Sequence, residues 1–479
     1  MLVWCLSGVV MLFVRYPDLG EGQRLRGLDP IAWDGCCRFG VDGALAGATP
    51  IVAASVEALD GAPLLRMTPA GGEALAIDLR TGRRIERFDA TAAAAVARAF
   101  GRRTGAAGNA AAPEPVVRDQ WTVAGDFNHD RPLQRVALGD PRGTEVYVSS
   151  ASGKVVQITD APQRFWNWLG AVPHWLYPSL LRQHTALWTQ VVIWTSVLGI
   201  FLTGSGLWAG WLAFRPCGDA RWSAYRGVWL WHHLAGLVCG VLTLAWVASG
   251  LVSMNPWGLL EGGSDDARAR LQGAPPAWSQ VRAAVQDFAA ERRAPSVVQL
   301  SIAPLGGRLF LLARTEDGGL QRMRADGAPA PMQLPELSAA AARITAPASP
   351  ASQDLLRWED AYWFSHHQRA KLPVYRVVAA GPAATRYYLD PETGALLGRF
   401  DPDARGYRWL HEGLHRWDFV PGLGDGPLWA ALMVVLLSGV TAGVGTGVWM
   451  SWKAVGRDLR RIGRRKGQRP RRAQAPPRP

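Results

Sequence analysis

Charge is missing from three long stretches of this chain. Thr185 to Phe214, Gly227 to Leu260 and Gly426 to Trp452 contain no Asp, Glu, Lys or Arg. Each is long enough to cross a ~30 Å hydrocarbon core, which takes about 20 residues, and their presence excludes a wholly soluble chain. Cysteine is scarce, with five in 479 residues. None stands at metal-ligand spacing, and the absence of a C-x-x-C-H signature speaks against covalently attached c-type haem. Cys36 and Cys37 are adjacent, a geometry poor for a mutual disulfide, and Cys217 and Cys239 fall in a loop and a helix. No disulfide framework is expected. A glycine-rich nucleotide motif is also lacking, which makes a flavin or nicotinamide site within the chain improbable.

What charge there is lies unevenly. The formal net charge is +13, and the tail from Lys453 to Pro479 carries eleven Lys and Arg against one Asp. A basic tail suggests nucleic acid or membrane; directly after an apolar helix, the positive-inside rule makes it a cytoplasmic anchor, and nucleic acid is set aside. Arg215, Arg221 and Arg226 place the short loop after the second helix on the same side. The expected arrangement is therefore a first helix over 1–14, an extracytoplasmic segment over 15–183, a second helix over 184–214, and a cytoplasmic loop over 215–227. A third helix follows over 228–256, then a second extracytoplasmic segment over 257–425, a fourth helix over 426–453 and a basic tail over 454–479. Met1 to Val14 is too short to span by itself.

An internal repeat governs this arrangement. Pro132, Arg135 and Val136 recur as Pro373, Arg376 and Val377; Tyr147 and Gly153 recur as Tyr388 and Gly394. Trp168-Leu169, His174 and Leu187-Trp188 recur as Trp409-Leu410, His415 and Leu428-Trp429, and Gly204, Gly206, Trp208 and Trp211 as Gly445, Gly447, Trp449 and Trp452. Every pair is 241 residues apart. Leu2, Trp4, Ser7 and Gly8 match Leu244, Trp246, Ser249 and Gly250 at an offset of 242. The third helix starts near Trp231-His232-His233, whose counterparts would lie about ten residues before Met1. The chain as given is thus expected to begin partway through its first helix, from a displaced start codon or, more blandly, a cleaved signal peptide.

Both extracytoplasmic segments read as mixed α/β. Strands meeting at glycine turns are expected within 76–88, 146–158, 310–327 and 387–400, and helices around Ala90–Ala99 and Leu337–Ile344. In the Asp-x-x-Thr-Gly turns, Asp78 to Gly82 and Asp390 to Gly394, Asp caps the turn and Gly takes a positive φ. Residues 101–115, rich in Ala, Gly and Pro, read as a flexible loop.

The Tyr-x-Asp-Pro-x-Thr-Gly hairpin (Tyr388 to Gly394), the following Trp409-Leu410-x4-His415, the glycine-rich helix after it, and a Trp-x-x-Ser-Gly helix opening each half together resemble the PepSY-associated transmembrane-helix family. The likeness covers nearly the whole chain and is strongest over 360–453. It implies a membrane α+β fold: a four-transmembrane-helix bundle in a bacterial inner membrane, with two periplasmic PepSY-like domains, each a helix packed on an antiparallel sheet. Members of that family include ferrisiderophore reductases with two b-type haems. A histidine expected in the first helix is missing from this chain.

Histidine is the residue whose placement suggests a cofactor, since imidazole is the usual ligand of low-spin haem. His232 and His233 stand at the cytoplasmic start of the third helix; His174, His184, His411 and His415 stand near the outer ends of the second and fourth. Two clusters at opposite faces suggest two haem b centres, one of them lacking a ligand in the given chain. For the outer centre, His174 with His415 are equivalents under the repeat, while His184 with His415 or His411 is the alternative pairing. For the inner centre one of His232 and His233 would serve, because neighbours on a helix point about 100° apart; His233, on a strip of small residues, is taken with His174 and His415 as an expected iron ligand. Simple hydrogen-bonding histidines at the membrane edge are the bland alternative in both places. His366 and His367 read as a surface pair, and many of the 23 tryptophans as interfacial belts.

These readings lead to an expected function. An inner-membrane haem protein would take electrons from quinone or a cytoplasmic donor and deliver them to a periplasmic acceptor, with a ferric siderophore implied by the resemblance. The rival is a membrane-anchored PepSY module that binds peptides or inhibits a protease without redox activity.

Overall fold

A computed structural model describes residues 1–40, 45–59, 61–214, 223–260, 266–291, 296–365, 370–419 and 426–467, with side chains through 461. His366, His367, Cys217, Arg215, Arg221 and the end of the basic tail lie outside the described residues. The architecture is mixed α and β, combining long apolar helices with antiparallel sheets.

Three helices are long and apolar enough to cross a membrane: Thr185–Ala213, Val228–Ser253 and Pro427–Arg461. They carry large apolar side chains on their outer faces, among them Phe201, Val238 and Leu428, each about 70 % exposed. In water such a surface would aggregate; against lipid it is solvated, and the protein is accordingly a membrane protein. The Val228–Ser253 helix packs against both of the others. The shorter Leu2–Met11 helix lies on the last of them, and Cys5, Trp246, Met433, Leu437 and Val440 form the core where these meet. At ten residues it spans even less than the expected 1–14.

The repeat is visible in the folded chain. Each half has a four-stranded antiparallel sheet in sequence order: Glu114–Val116, Leu133–Ala137, Glu145–Ser149 and Val155–Thr159 in the first, Pro350–Leu356, Val374–Ala379, Arg386–Leu389 and Leu396–Phe400 in the second. The registers agree. Arg135 pairs with Tyr147 and Arg376 with Tyr388, and the register slips directly after Tyr147 and directly after Tyr388. An aspartate hidden from motif reading completes the match: the Tyr147 hydroxyl donates to Asp119 at 2.7 Å, and that of Tyr388 to Asp360 at 2.9 Å. Asp160 and Asp401 then cap the helices Ala161–Leu169 and Pro402–Tyr407, accepting from the backbone N–H three residues on.

The halves share a third sheet of seven strands. Its order runs Leu320–Arg324, Phe310–Thr315, Val297–Ile302, then Ile51–Leu59, Ala62–Pro69, Leu75–Asp78 and Arg84–Ile85. The join is the antiparallel pair 51–59 with 297–302, where Glu57 stands opposite Gln299, 242 residues away. A residue facing its own counterpart marks a pseudo-twofold axis. The two segments expected as extracytoplasmic domains are therefore stitched together by backbone hydrogen bonds.

Local expectations met the structure unevenly. The helices extend over Ala90–Thr104 and Leu334–Thr345, and strands occupy parts of each predicted segment. Asp78 and Asp390 accept backbone N–H groups in their turns, and Gly82 and Gly394 both have φ of 75°. The 101–115 segment is not all loop: its first residues complete the helix that ends at Thr104, and its last enter the strand Glu114–Val116. Cys36 and Cys37 correct the expectation that they stay unlinked. They are bonded to each other, with a cis peptide bond drawing their Cα atoms to 3.0 Å.

Candidate functional site: histidines at two levels of the helix bundle

The two Trp-x-x-Ser-Gly helices do one job twice. On Leu2–Met11 the Ser7 hydroxyl lies 3.2 Å from Nδ1 of His174, and the Trp4 carbonyl lies 3.1 Å from the same atom. On Val228–Ser253 the Ser249 hydroxyl lies 3.0 Å from Nδ1 of His415, with the Trp246 carbonyl as its second partner. The glycine after each serine lies against the ring. A methyl group placed on Gly8 would sit 3.5 Å from Cε1 of His174, and one on Gly250 would sit 3.7 Å from Cε1 of His415.

A carbonyl oxygen only accepts, so it requires a proton on the nitrogen facing it. Nδ1 of His174 and His415 is thereby the N–H, and Nε2 carries the free lone pair. That is the tautomer of a metal-ligating histidine, oriented through its other ring nitrogen. The two rings are 6.1 Å apart between centroids and inclined at 75°. Two metal–nitrogen bonds of about 2 Å, added to the short reach from each nitrogen to its ring centre, require roughly 6 Å. The pair therefore fits the spacing of bis-histidine ligation.

His411 joins the same group. It lies on the π-helical turn Arg408–Gly413, donates from Nδ1 to the Ser249 carbonyl at 2.9 Å, and has its ring 5.2 Å from that of His415. The i, i+4 relation expected from sequence thus holds the two rings side by side, and the single π turn at this point is of a kind often found at functional sites. His184 is apart from them. It is exposed at the start of the Thr185–Ala213 helix and makes no ring contact with the other histidines. His174 sits on the four-residue helix Ala171–His174, which packs against Leu2–Met11.

The second group is at the other end of the Val228–Ser253 helix, and its adjacent histidines differ. His233 is buried, at 7 % exposure, and both ring nitrogens are in use: Nε2 donates to the Gly210 carbonyl at 2.7 Å, and Nδ1 meets the Ser223 hydroxyl at 2.7 Å. It clamps the Thr185–Ala213 helix to the segment that returns from the loop. His232 points instead at Pro427–Gly467, where Nδ1 is 3.2 Å from the Gly443 carbonyl and 3.0 Å from the Thr446 hydroxyl. Its Cε1 lies 3.1 Å from where a methyl group on Gly447 would be. His232 therefore repeats the pattern of His174 and His415, with Nδ1 engaged and Nε2 clear, and His233 does not.

Sequence reading singled out the histidines and missed their holders. Ser7 and Ser249 were visible as a matched pair, yet only the fold brings each beside a histidine some 166 residues along the chain. Among the described residues no group of three or more His, Cys, Asp or Glu side chains is arranged to hold a metal ion; what the chain offers are paired imidazoles. No protein-family model matches this chain, and no curated protein matches it.

Proposed function

We propose that this chain is a b-type haem protein of the bacterial inner membrane, akin to the PepSY-associated transmembrane family, that moves electrons across the bilayer to a periplasmic acceptor. The observation that carries this reading is the His174–His415 pair: two imidazoles from repeat-equivalent positions, each oriented by a serine and a carbonyl, at the spacing a shared iron needs. His174 and His415 would hold the outer haem, with His411 as the neighbouring alternative, and His232 would supply one ligand of an inner haem. Haem would contribute reversible one-electron chemistry at a potential tuned by its ligands and their hydrogen bonds. The chain's own part is to fix the tautomer of each ligand, exclude water from the helix bundle and keep the two levels apart. The four apolar helices would form the bundle, the sheet-bearing segments would be the periplasmic PepSY-like domains, and quinone or a cytoplasmic protein would be the donor. The acceptor we propose is a ferric chelate of the siderophore class, serving iron uptake, because a buried haem pair beneath a folded extracytoplasmic module suits delivery of electrons to a bound solute.

Optical spectroscopy tests this directly. Membrane protein purified from haem-replete cells should show Soret and α bands in a reduced-minus-oxidised spectrum, and His415→Ala should abolish the outer haem's share. A colourless preparation ends the proposal and leaves the rival, a membrane-anchored binding module whose histidines serve only structure.

A further inference from the structure

Between the seven-stranded sheet and the two equivalent hairpins lies a cavity of about 670 Å³, within the roughly 300–1,000 Å³ typical of small-molecule sites. Both halves line it: Ser152 and Lys154 come from the first hairpin, and their counterparts Thr393 and Ala395 from the second. The repeat thus makes the cavity symmetric in backbone and asymmetric in charge, with a lysine facing an alanine. Part of the wall is cationic, from Arg24, Arg66 and Lys154; another part is apolar, where Leu271, Leu305 and Leu396 belong to one core cluster.

The cations are not fully used by the protein. Glu57, almost wholly buried, binds both Arg24 and Arg66 at 2.8 Å, and Glu21 takes Arg24 as well. Asp130, also at the cavity, accepts from the Ser152 hydroxyl. Yet Arg24 is 8 % exposed with no partner for its Nη1, and the half-buried Lys154 ammonium makes no hydrogen bond or ion pair. Burial holds Lys154 below the usual lysine range; Glu57 opposes that, and the neighbouring Arg66 and Arg24 add to it. An unpaired cation kept in such a place is unfavourable until an anion joins it.

We propose that this cavity binds an organic polycarboxylate, its carboxylates meeting Lys154, Arg24 and Arg66 and its carbon frame lying on the Leu271, Leu305 and Leu396 wall. A free polycarboxylic acid and a metal polycarboxylate chelate share this chemistry. Binding stands independently of haem; only the role of such a chelate as electron acceptor rests on the function proposed above.

Calorimetric titration of the purified full-length chain with citrate, gallium(III) citrate and the neutral gallium(III) tris-acetohydroxamate separates these cases. Gallium stands in for iron without being reduced, so binding is read whether or not the protein carries haem. Saturable binding of either anion is expected, weakened roughly ten-fold or more in Lys154→Gln, as loss of a charged hydrogen bond implies, and in Ser301→Trp, which fills the cavity. Because the Lys154 ammonium makes no internal hydrogen bond or ion pair, its variant keeps the test readable should the tryptophan variant misfold. Binding of gallium citrate alone assigns the site to the chelate, and binding of citrate alone to the free acid. Failure of both anions to bind, equal binding of the neutral chelate, or unchanged affinity in Lys154→Gln overturns the proposal.

Discussion

The hydrogen bonds at one ring nitrogen decide what His174 and His415 can do. Ser7 and the Trp4 carbonyl hold Nδ1 of His174, Ser249 and the Trp246 carbonyl hold Nδ1 of His415, and because a carbonyl only accepts, Nε2 is the free base. On the haem function proposed above, Ser7→Ala and Ser249→Ala should leave the chain folded and lower haem affinity by roughly 10- to 100-fold, the usual effect of removing a partner that orients a metal ligand; the haem-to-protein ratio of purified variants measures this. Elsewhere Glu57 illustrates a buried charge that depends on its partners. Burial alone would raise its pKa, but Arg66 and Arg24 overcome that and bring it down to about 2. A carboxylate depressed in the folded state stabilises the fold at pH values above its unfolded pKa of about 4.5 and loses that contribution as pH falls toward 2. The contribution is roughly 3 kcal/mol. Thermal melts of the wild type should fall steeply between about pH 4.5 and 2, and Glu57→Gln should be less stable at neutral pH with a shallower acid slope.

One helix can serve two neighbours because consecutive residues diverge by about 100°. His232 and His233 open the Val228–Ser253 helix: the first turns to the Pro427–Gly467 helix and the second to Gly210 and Ser223. The periodicity of the sequence required such a divergence but did not say which histidine faced which way. On the same proposal, His232→Ala should reduce the haem count of the purified protein by one. His233→Ala should keep that count and cost about 1–3 kcal/mol of stability, through the buried Gly210 carbonyl it leaves unpaired; pyridine haemochrome assay and thermal melting separate the two. The Leu2–Met11 helix is short for a span, yet it is held against the short Ala171–His174 helix, with Ser7 and Gly8 both at the His174 ring.

At the scale of the molecule the halves are not independent. Strands 51–59 and 297–302 pair across the pseudo-twofold axis, and the cavity lies against the sheet they complete. Residues 1–226 and 227–479 made as separate chains in one cell should therefore purify together through an affinity tag on either. Recovery of each half alone, folded and unaccompanied, would show that the shared sheet contributes little.

The sequence by itself determined the elements whose cause is local or periodic. Uncharged runs longer than the bilayer is thick had to become long apolar helices, and a constant offset of 241 had to become two matching sheets, because equal patterns bury equal faces. The Asp–Gly turns were readable for the same reason, since their hydrogen bonds close within five residues. Only the tertiary structure decided which imidazole nitrogen stays free, which of His232 and His233 is a clamp, and that Asp119 and Asp360 answer Tyr147 and Tyr388. It also joined Glu57 to Gln299 and walled the cavity. Such contacts span up to 242 residues, and a chain carries no local record of partners that distant; they exist once packing of the two repeats brings them within hydrogen-bond reach.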